Sequence, residues 1–156
     1  MRFVCDHMLG TLAKWLRFLG YDTGYPDALD DDDLKALAVV EDRVLLTRDY
    51  ELSGRVAGAI YIESDVLDEQ FAQVVRAFGL TAKDAMTRCS VCNALIESIP
   101  KEQAEGHVPP GVYDRHREFW RCRQCGRHYW PGSHYERVVA KLKSVSEKSK
   151  GPAQEV

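Results

Sequence analysis

The chain has 156 residues, of which 45% are hydrophobic and 29% are charged, as in an ordinary soluble globular protein. No apolar run approaches the roughly 20 residues that cross a bilayer, and the N-terminal segment meets a charge too early for a signal peptide. These features argue against a membrane or secreted protein. We therefore expect a cytoplasmic protein whose thiols stay reduced.

The charge is divided unevenly along the chain. Residues 1–81 contain 8 Lys and Arg against 15 Asp and Glu, a net of −7, whereas residues 82–156 contain 13 against 9, a net of +4. Concentrated carboxylates can hold divalent cations, and a basic surface can hold polyanions. Two solvated surfaces with a chance asymmetry would give the same counts.

Short apolar runs alternate with helical patterns over the first half. Arg2–Cys5 is predicted to be a buried strand, and residues 9–19 an amphipathic helix that ends at Gly20. Further strands are predicted at 21–23, 44–47 and 58–62, and helices after Asp31 and over 66–78. This alternation predicts an α/β fold, with a parallel sheet flanked by helices on both faces.

Aspartates follow several of these strands. Asp6 and Asp49 come directly after predicted strands, and Asp65 follows another. The run Asp30–Asp33 precedes a helix, where Asp31 could be a metal ligand or only the N-cap. The carboxyl ends of parallel strands meet at one edge, and carboxylate oxygens suit Mg²⁺ or Mn²⁺. We expect Asp6 and Asp49 to be functional, and Asp30, Asp32 and Asp33 to be surface residues.

Two C-x-x-C pairs lie in the second half, Cys89 with Cys92 and Cys122 with Cys125, separated by 29 residues. Four thiolates with this spacing predict one structural zinc ion in a small ribbon, although an iron–sulfur cluster also uses four cysteines. The long spacing predicts an inserted loop around residues 108–111. Cys5 is expected to be a buried core residue.

Basic residues are interleaved with aromatic ones around the second pair. Arg121, Arg123 and Arg127 could pair with phosphates, while the neighbouring Trp120 and Trp130 could stack on bases or fill the small core of the ribbon. For Trp120 we favour the core. Lys14 and Arg17, on the first helix, could reach a substrate phosphate near Asp6 or form a solvated face.

Several motifs together resemble one known family. They are Phe3-Val4-Cys5-Asp6, the helix Leu12–Gly20, the acidic run before Leu34, Leu45–Asp49, and the motifs around the cysteines, which include Phe119-Trp120 and Gly132-Ser133-His134. Over about residues 2–140 the chain resembles the Mut-seven C-terminal RNase domain, a PIN-like nuclease domain with a fused zinc ribbon. The resemblance implies a PIN-like core at 1–82 and a zinc ribbon with a C-terminal helix at 83–142. Residues 143–156 are predicted to be a disordered tail.

The resemblance also implies a ribonuclease that hydrolyses RNA phosphodiester bonds with Mg²⁺ or Mn²⁺. By position, Asp6, Asp31 and Asp49 would be the catalytic metal ligands, and Asp65 or Glu51 a fourth acid. The substrate, such as tRNA, rRNA or ribosome-associated RNA, would contact Lys14, Arg17, Thr47, Arg48, Arg121, Arg123 and Arg127, with Thr47 also orienting the carboxylates. The alternative is a non-catalytic RNA- or ribosome-binding adaptor with a degenerate site. A toxin of the toxin–antitoxin type is a weaker alternative, because such PIN toxins usually lack a zinc ribbon.

Overall fold

The structure, a computed structural model, describes residues 1–151 and contains two sheets. Among these residues, no helix is both long enough and apolar enough to cross a bilayer. The first sheet and its helices are β1 (Arg2–Cys5), α1 (Gly10–Phe18), β2 (Asp22–Gly24), α2 (Asp31–Val40), β3 (Val44–Thr47), α3 (Tyr50–Arg55), β4 (Ile60–Tyr61) and α4 (Leu67–Phe78). The later strands and α-helices are β5 (Ile96–Ile99), α5 (Pro110–Arg115), β6 (Phe119–Cys122), β7 (His128–Tyr129) and α6 (Ser133–Ser149), and two 3₁₀ helices cover His7–Leu9 and Lys101–Ala104.

The first sheet is parallel throughout, in the order β2-β1-β3-β4. Successive side chains of a strand face opposite sides, so Phe3 and Cys5 enter one core while Val4 enters another. The first core is completed by α1, α4 and α6, and the second by α2 and α3. The predicted α/β architecture, with helices on both faces, is confirmed.

The predicted helix boundaries hold with small corrections. Gly20 follows α1 with a φ of +89°, and a Cβ there would lie 2.0 Å from the Asp84 carbonyl oxygen, so only glycine fits. Asp30, rather than Asp31, caps α2, because its carboxylate accepts from Asp33 N at 2.9 Å. The short helix α3 was not predicted. It begins after Asp49, whose carboxylate caps it.

The second sheet is antiparallel, in the order β5-β6-β7. Cys122 ends β6, Cys125 lies in the turn between β6 and β7, and Cys89 and Cys92 precede β5. Phe119 and Tyr129 are buried within this unit, whereas Trp120 and Trp130 are half-buried against its two small cores. The insertion predicted around residues 108–111 forms the start of α5. The aromatic residues here mainly stabilise the ribbon.

Helix α6 differs from both predictions made for it. It continues to Ser149 where a disordered tail was expected from residue 143, because Val145 is still buried. Its first turn contacts the ribbon through Tyr135, but the rest packs against α1 and α4, where Val138 and Leu142 complete the first core. Residues 152–156 of the predicted tail lie outside the described part of the chain.

Asp22, at the start of β2, joins several parts of the chain. Its carboxylate accepts hydrogen bonds from Arg43 Nη1 at 2.7 Å and from Asn93 Nδ2 at 2.8 Å, and Arg2 and Arg88 lie within 4.0 Å. Burial raises the pKa of Asp22, but the hydrogen bonds outweigh burial and lower it from 3.8 to about 2. The ionised carboxylate therefore stabilises the folded chain.

We expect Asp22→Asn to lower the free energy of unfolding by roughly 2 kcal/mol at neutral pH. The folded pKa lies below the unfolded value. The stabilisation is therefore complete above about pH 4 and is lost as the pH falls towards 2. Urea unfolding of both proteins should show their difference falling to under half at about pH 2.5. Asp27→Asn, an exposed aspartate, should match wild type, and a pH-independent Asp22→Asn difference would contradict the argument.

Candidate active site and metal centre

Asp6 follows β1 at the carboxyl edge of the parallel sheet and is held by three donors. Its Oδ1 accepts from Met8 N at 3.0 Å, and its Oδ2 accepts from Arg48 N at 2.9 Å and from the Thr47 hydroxyl. The residue is only 5% exposed. These bonds fix the carboxylate in a single orientation.

Asp49 follows β3 and is tied to the same group. Its backbone N donates to Thr47 Oγ1 at 2.9 Å, while Thr47 donates its proton to Asp6. Its Oδ1 accepts from Leu52 N at 2.9 Å, which caps α3. Thr47 is fully buried, so the prediction that it contacts substrate is wrong. It instead positions the two aspartates.

A cavity of about 180 Å³ opens at this edge of the sheet. The carboxylates that line it are those of Asp6, Asp31 and Asp49, which the structure thus brings to one place. They do not form a closed cluster, because their oxygens do not all lie within 4.8 Å of one another. Asp31 is half-exposed and lies 4.0 Å from Arg55. Mg²⁺ commonly keeps several waters and uses one or two carboxylates, so this oxygen set suits it.

Arg48 lines the same cavity and carries an unusual feature. Its Nη1 is buried and has no hydrogen-bond partner among the described residues. A buried guanidinium nitrogen without a partner is costly, and a phosphate oxygen would satisfy it. Asp65 and Glu51, the two candidates for a fourth acid, do not line this cavity.

The prediction that Arg17 binds substrate is wrong. The side chain is 5% exposed, and it donates to Thr23 O at 2.9 Å, Ser90 O at 3.0 Å and Val91 O at 2.9 Å. Burial lowers the pKa of Arg17. The residue joins α1 and β2 to the first cysteine pair. Lys14, one helical turn earlier, is exposed.

The four cysteines meet at one point, as predicted. Their sulfur atoms all lie within 4.8 Å of one another, with 3.6 Å between Cys89 and Cys125 and 3.4 Å between Cys92 and Cys122. A tetrahedron with Zn–S bonds of about 2.3 Å has edges of about 3.8 Å. Cys92 N and Cys125 N donate to the preceding cysteine sulfurs at 3.5 and 3.4 Å. The cluster can therefore bind a metal ion and is consistent with zinc.

Tyr129 contacts this centre, which its sequence position did not reveal. Its hydroxyl lies 2.9 Å from Cys89 Sγ and accepts from Ser90 N at 3.1 Å. Burial raises the pKa of Cys89, but hydrogen bonds from Tyr129 and from the amides of Cys92 and Val91 outweigh it and lower the value to about 7. The thiolate, which is the form that binds metal, is therefore favoured.

The basic residues of the ribbon are partly engaged by a carboxylate. Glu97 lies 3.1 Å from Arg121 and 2.7 Å from Arg123, and these hydrogen bonds lower the pKa of Glu97. Arg127 is exposed, and none of the ion pairs among the described residues includes it. All three arginines remain at the surface, so a polyanion can reach them.

Sequence reasoning missed contacts that join distant segments. The cavity is also lined by Met8, Pro26 and Leu29, and the Asn93 amide donates to Asp22 and accepts from Thr23 N at 3.1 Å. The sequence shows only that Asn93 follows a cysteine pair. That position does not indicate that Asn93 contacts Thr23, which lies 70 residues away.

Comparison with known proteins gives one positive result. The family model described as the Mut7-C RNAse domain matches residues 1–142. No curated protein and no solved structure matches the chain significantly. With an aspartate-lined cavity at the edge of a parallel sheet, a four-cysteine centre, and a family match over residues 1–142, the chain belongs to the Mut7-C RNAse domain family.

Proposed function

We propose that this protein is a metal-dependent ribonuclease that hydrolyses RNA phosphodiester bonds at the aspartate-lined cavity of a PIN-like core. Membership of the RNAse domain family supports a nuclease and RNA as its substrate. The observation that carries the proposal for this chain is the cavity itself. It combines three carboxylates, which suit Mg²⁺ or Mn²⁺, with an arginine nitrogen that has no partner within residues 1–151 and suits phosphate.

Each residue of the cavity has a distinct part in this proposal. Asp6, Asp31 and Asp49 would hold the cation, and Thr47 keeps Asp6 and Asp49 in register. Arg48 donates to an oxygen of the scissile phosphate and so stabilises the charge that develops on it. When bound, the divalent cation lowers the pKa of a water molecule and neutralises phosphate charge.

The ribbon contributes position and charge in the same proposal. Zinc bound at Cys89, Cys92, Cys122 and Cys125 would hold β6 and β7 against the first cysteine pair. That pair is itself tied to α1 by Arg17. Arg121, Arg123 and Arg127 would then meet the RNA backbone as a fixed basic surface. This cytoplasmic enzyme would use zinc for structure only, because four cysteines leave no open position for water.

A second candidate is a non-catalytic RNA- or ribosome-binding adaptor. The observation that favours it is the spread of the three carboxylates, whose oxygens do not all lie within 4.8 Å. RNA binding that withstands EDTA, without any turnover, would select this adaptor.

The test compares two neighbouring aspartates of α2. Asp31 lines the cavity, whereas Asp33, two residues later, does not and is exposed. We expect Asp31→Asn to slow Mg²⁺-dependent cleavage of a mixed RNA pool by about tenfold or more, because it removes a charged ligand. Cleavage would be followed by gel electrophoresis, with EDTA abolishing it.

Asp33→Asn is the matched control and should cleave at the wild-type rate. Both substitutions remove one negative charge from the first turn of the same helix, so any general effect on RNA attraction is shared. Equal cleavage rates for Asp31→Asn and Asp33→Asn would show that Asp31 takes no part in the reaction. An inactive wild type, in Mg²⁺ and in Mn²⁺, would overturn the ribonuclease.

A further inference from the structure

A second groove lies beside the aspartate cavity. It has a volume of about 410 Å³ and lies between the start of α1, the loop before α2, and α4. Met8, which is 59% exposed, lines both the groove and the aspartate cavity, so the two are direct neighbours. The groove is lined by Met8, Gly10, Thr11, Lys14, Tyr25, Asp65, Leu67 and Gln70.

Lys14 is the cation of this groove, and its charge is available. None of the ion pairs among the described residues includes Lys14, although Asp65 lines the same groove. By contrast, Arg43 and Arg55 are each held by carboxylates. An exposed ammonium without a carboxylate partner, in a concave surface, attracts an anion such as phosphate.

Tyr25 forms an aromatic wall of the groove and is held in place. Its hydroxyl donates to His7 O at 2.8 Å. Its ring packs directly against Gly10, where a Cβ would lie 2.8 Å from the hydroxyl oxygen and 2.9 Å from the ring. Only glycine at the first position of α1 allows this approach. Proteins that bind single-stranded nucleic acid combine aromatic rings, on which bases stack, with positive charges that contact the backbone.

We propose, on the basis of the ribonuclease function above, that this groove binds the nucleotide next to the scissile phosphate of single-stranded RNA. Lys14 pairs with the neighbouring phosphate, and the base lies against Tyr25. Met8 marks the boundary between the two positions. In a duplex the bases are paired and stacked, so a double strand cannot place a base against this ring.

Asp65 has a place in the same arrangement. Its carboxylate is exposed at the groove and is an acceptor only. The 2′-hydroxyl of a ribose can donate to it, and deoxyribose cannot. The groove therefore favours RNA over DNA of the same sequence.

The experiment measures binding of a fluorescein-labelled ten-nucleotide RNA by anisotropy, with Ca²⁺ in place of Mg²⁺, over a series of salt concentrations. Lys14→Gln should weaken binding by about fivefold and reduce the salt slope by about 0.7, the value for one phosphate contact to a single strand. Lys83→Gln removes an exposed lysine that lines neither cavity and should change neither quantity.

A second variant tests the wall. Tyr25→Leu should weaken binding of the single strand by about tenfold and leave binding of an RNA duplex unchanged. Thermal melting of each variant shows whether it is folded. If Tyr25→Leu does not fold, Lys14→Gln still tests the groove, because Lys14 is exposed. A third arm compares RNA with DNA: Asp65→Ala removes the acceptor for the 2′-hydroxyl and should reduce the preference for RNA.

The outcomes separate this inference from the function on which it rests. Weaker RNA binding in Lys14→Gln, together with a salt slope that is smaller by about 0.7, supports the groove. An unchanged salt slope in Lys14→Gln, in a protein that cleaves RNA with Mg²⁺, overturns the groove and leaves the ribonuclease standing. Absence of any cleavage by wild type overturns the ribonuclease first.

Discussion

Replacing Asp6 by Asn is expected to reduce RNA cleavage by about two orders of magnitude or more, because the change removes the most firmly held ligand of the proposed cation. The same change carries a cost in stability. Asn offers one oxygen where Asp offers two, so its NH₂ group must face a donor, either Met8 N or the pair Thr47 and Arg48 N. We expect a loss of about 1–3 kcal/mol in the free energy of unfolding.

Asp49→Asn is expected to affect RNA cleavage without affecting the stability of the fold. Asn caps a helix as well as Asp does, and the only hydrogen bond that the Asp49 side chain makes among the described residues is with Leu52 N. We expect a similar loss of cleavage with nearly unchanged melting temperature. The measurement is the single-turnover rate below the melting temperature of all three proteins. Wild-type rates in Asp49→Asn would show that its charge takes no part in the reaction.

Loss of the metal from the four-cysteine centre is expected to unfold the ribbon and to weaken the first domain as well. The ribbon has only two small cores, so without metal its two cysteine pairs have little to hold them together. If Ser90 and Val91 move away, buried Arg17 loses two of its three acceptors. We therefore expect Cys122→Ser to cost more than about 3 kcal/mol.

The measurement combines metal content with thermal melting. Wild type should carry one zinc per chain and Cys122→Ser less, with a lower melting temperature. Cys5→Ala is the matched control, because Cys5 is buried in β1 and burial raises the pKa of its thiol, so it binds no metal. One zinc per chain in Cys122→Ser would show that Cys122 is not needed to bind the metal. A visible absorbance band in wild type would identify an iron–sulfur cluster instead of zinc.

The features that could be predicted from the sequence are those that depend on residues close together in the chain. Strand β1 contains the apolar run Phe3–Cys5, α4 has a clear apolar face that ends at Gly79, and the spacing of the cysteines indicates which of them meet. The carboxylates of Asp6 and Asp49 followed from the rule that parallel strands end at one edge. In each case, residues close in the sequence carried the information.

The features that could not be predicted depend on long-range packing. Arg17 looked like a surface cation because its acceptors are backbone carbonyls, which leave no mark in the sequence, and two of them are more than 70 residues away. Helix α3 has only six residues, too few for an apolar period, although Asp49 as a cap was a usable signal. The last two turns of α6 are polar except for Val145, whose burial depends on the core formed by α1 and α4.

The position of α6 also affects how the chain can fold as it is made. Val138, Leu142 and Val145 cover the core built by α1 and α4, yet the ribosome synthesises them after the whole ribbon. Residues 1–82 alone therefore expose an apolar surface. In such a fragment, the core on one face of the parallel sheet is only partly covered. We expect a chain interrupted within the ribbon to aggregate or to be degraded, because the apolar surface that α6 covers stays exposed.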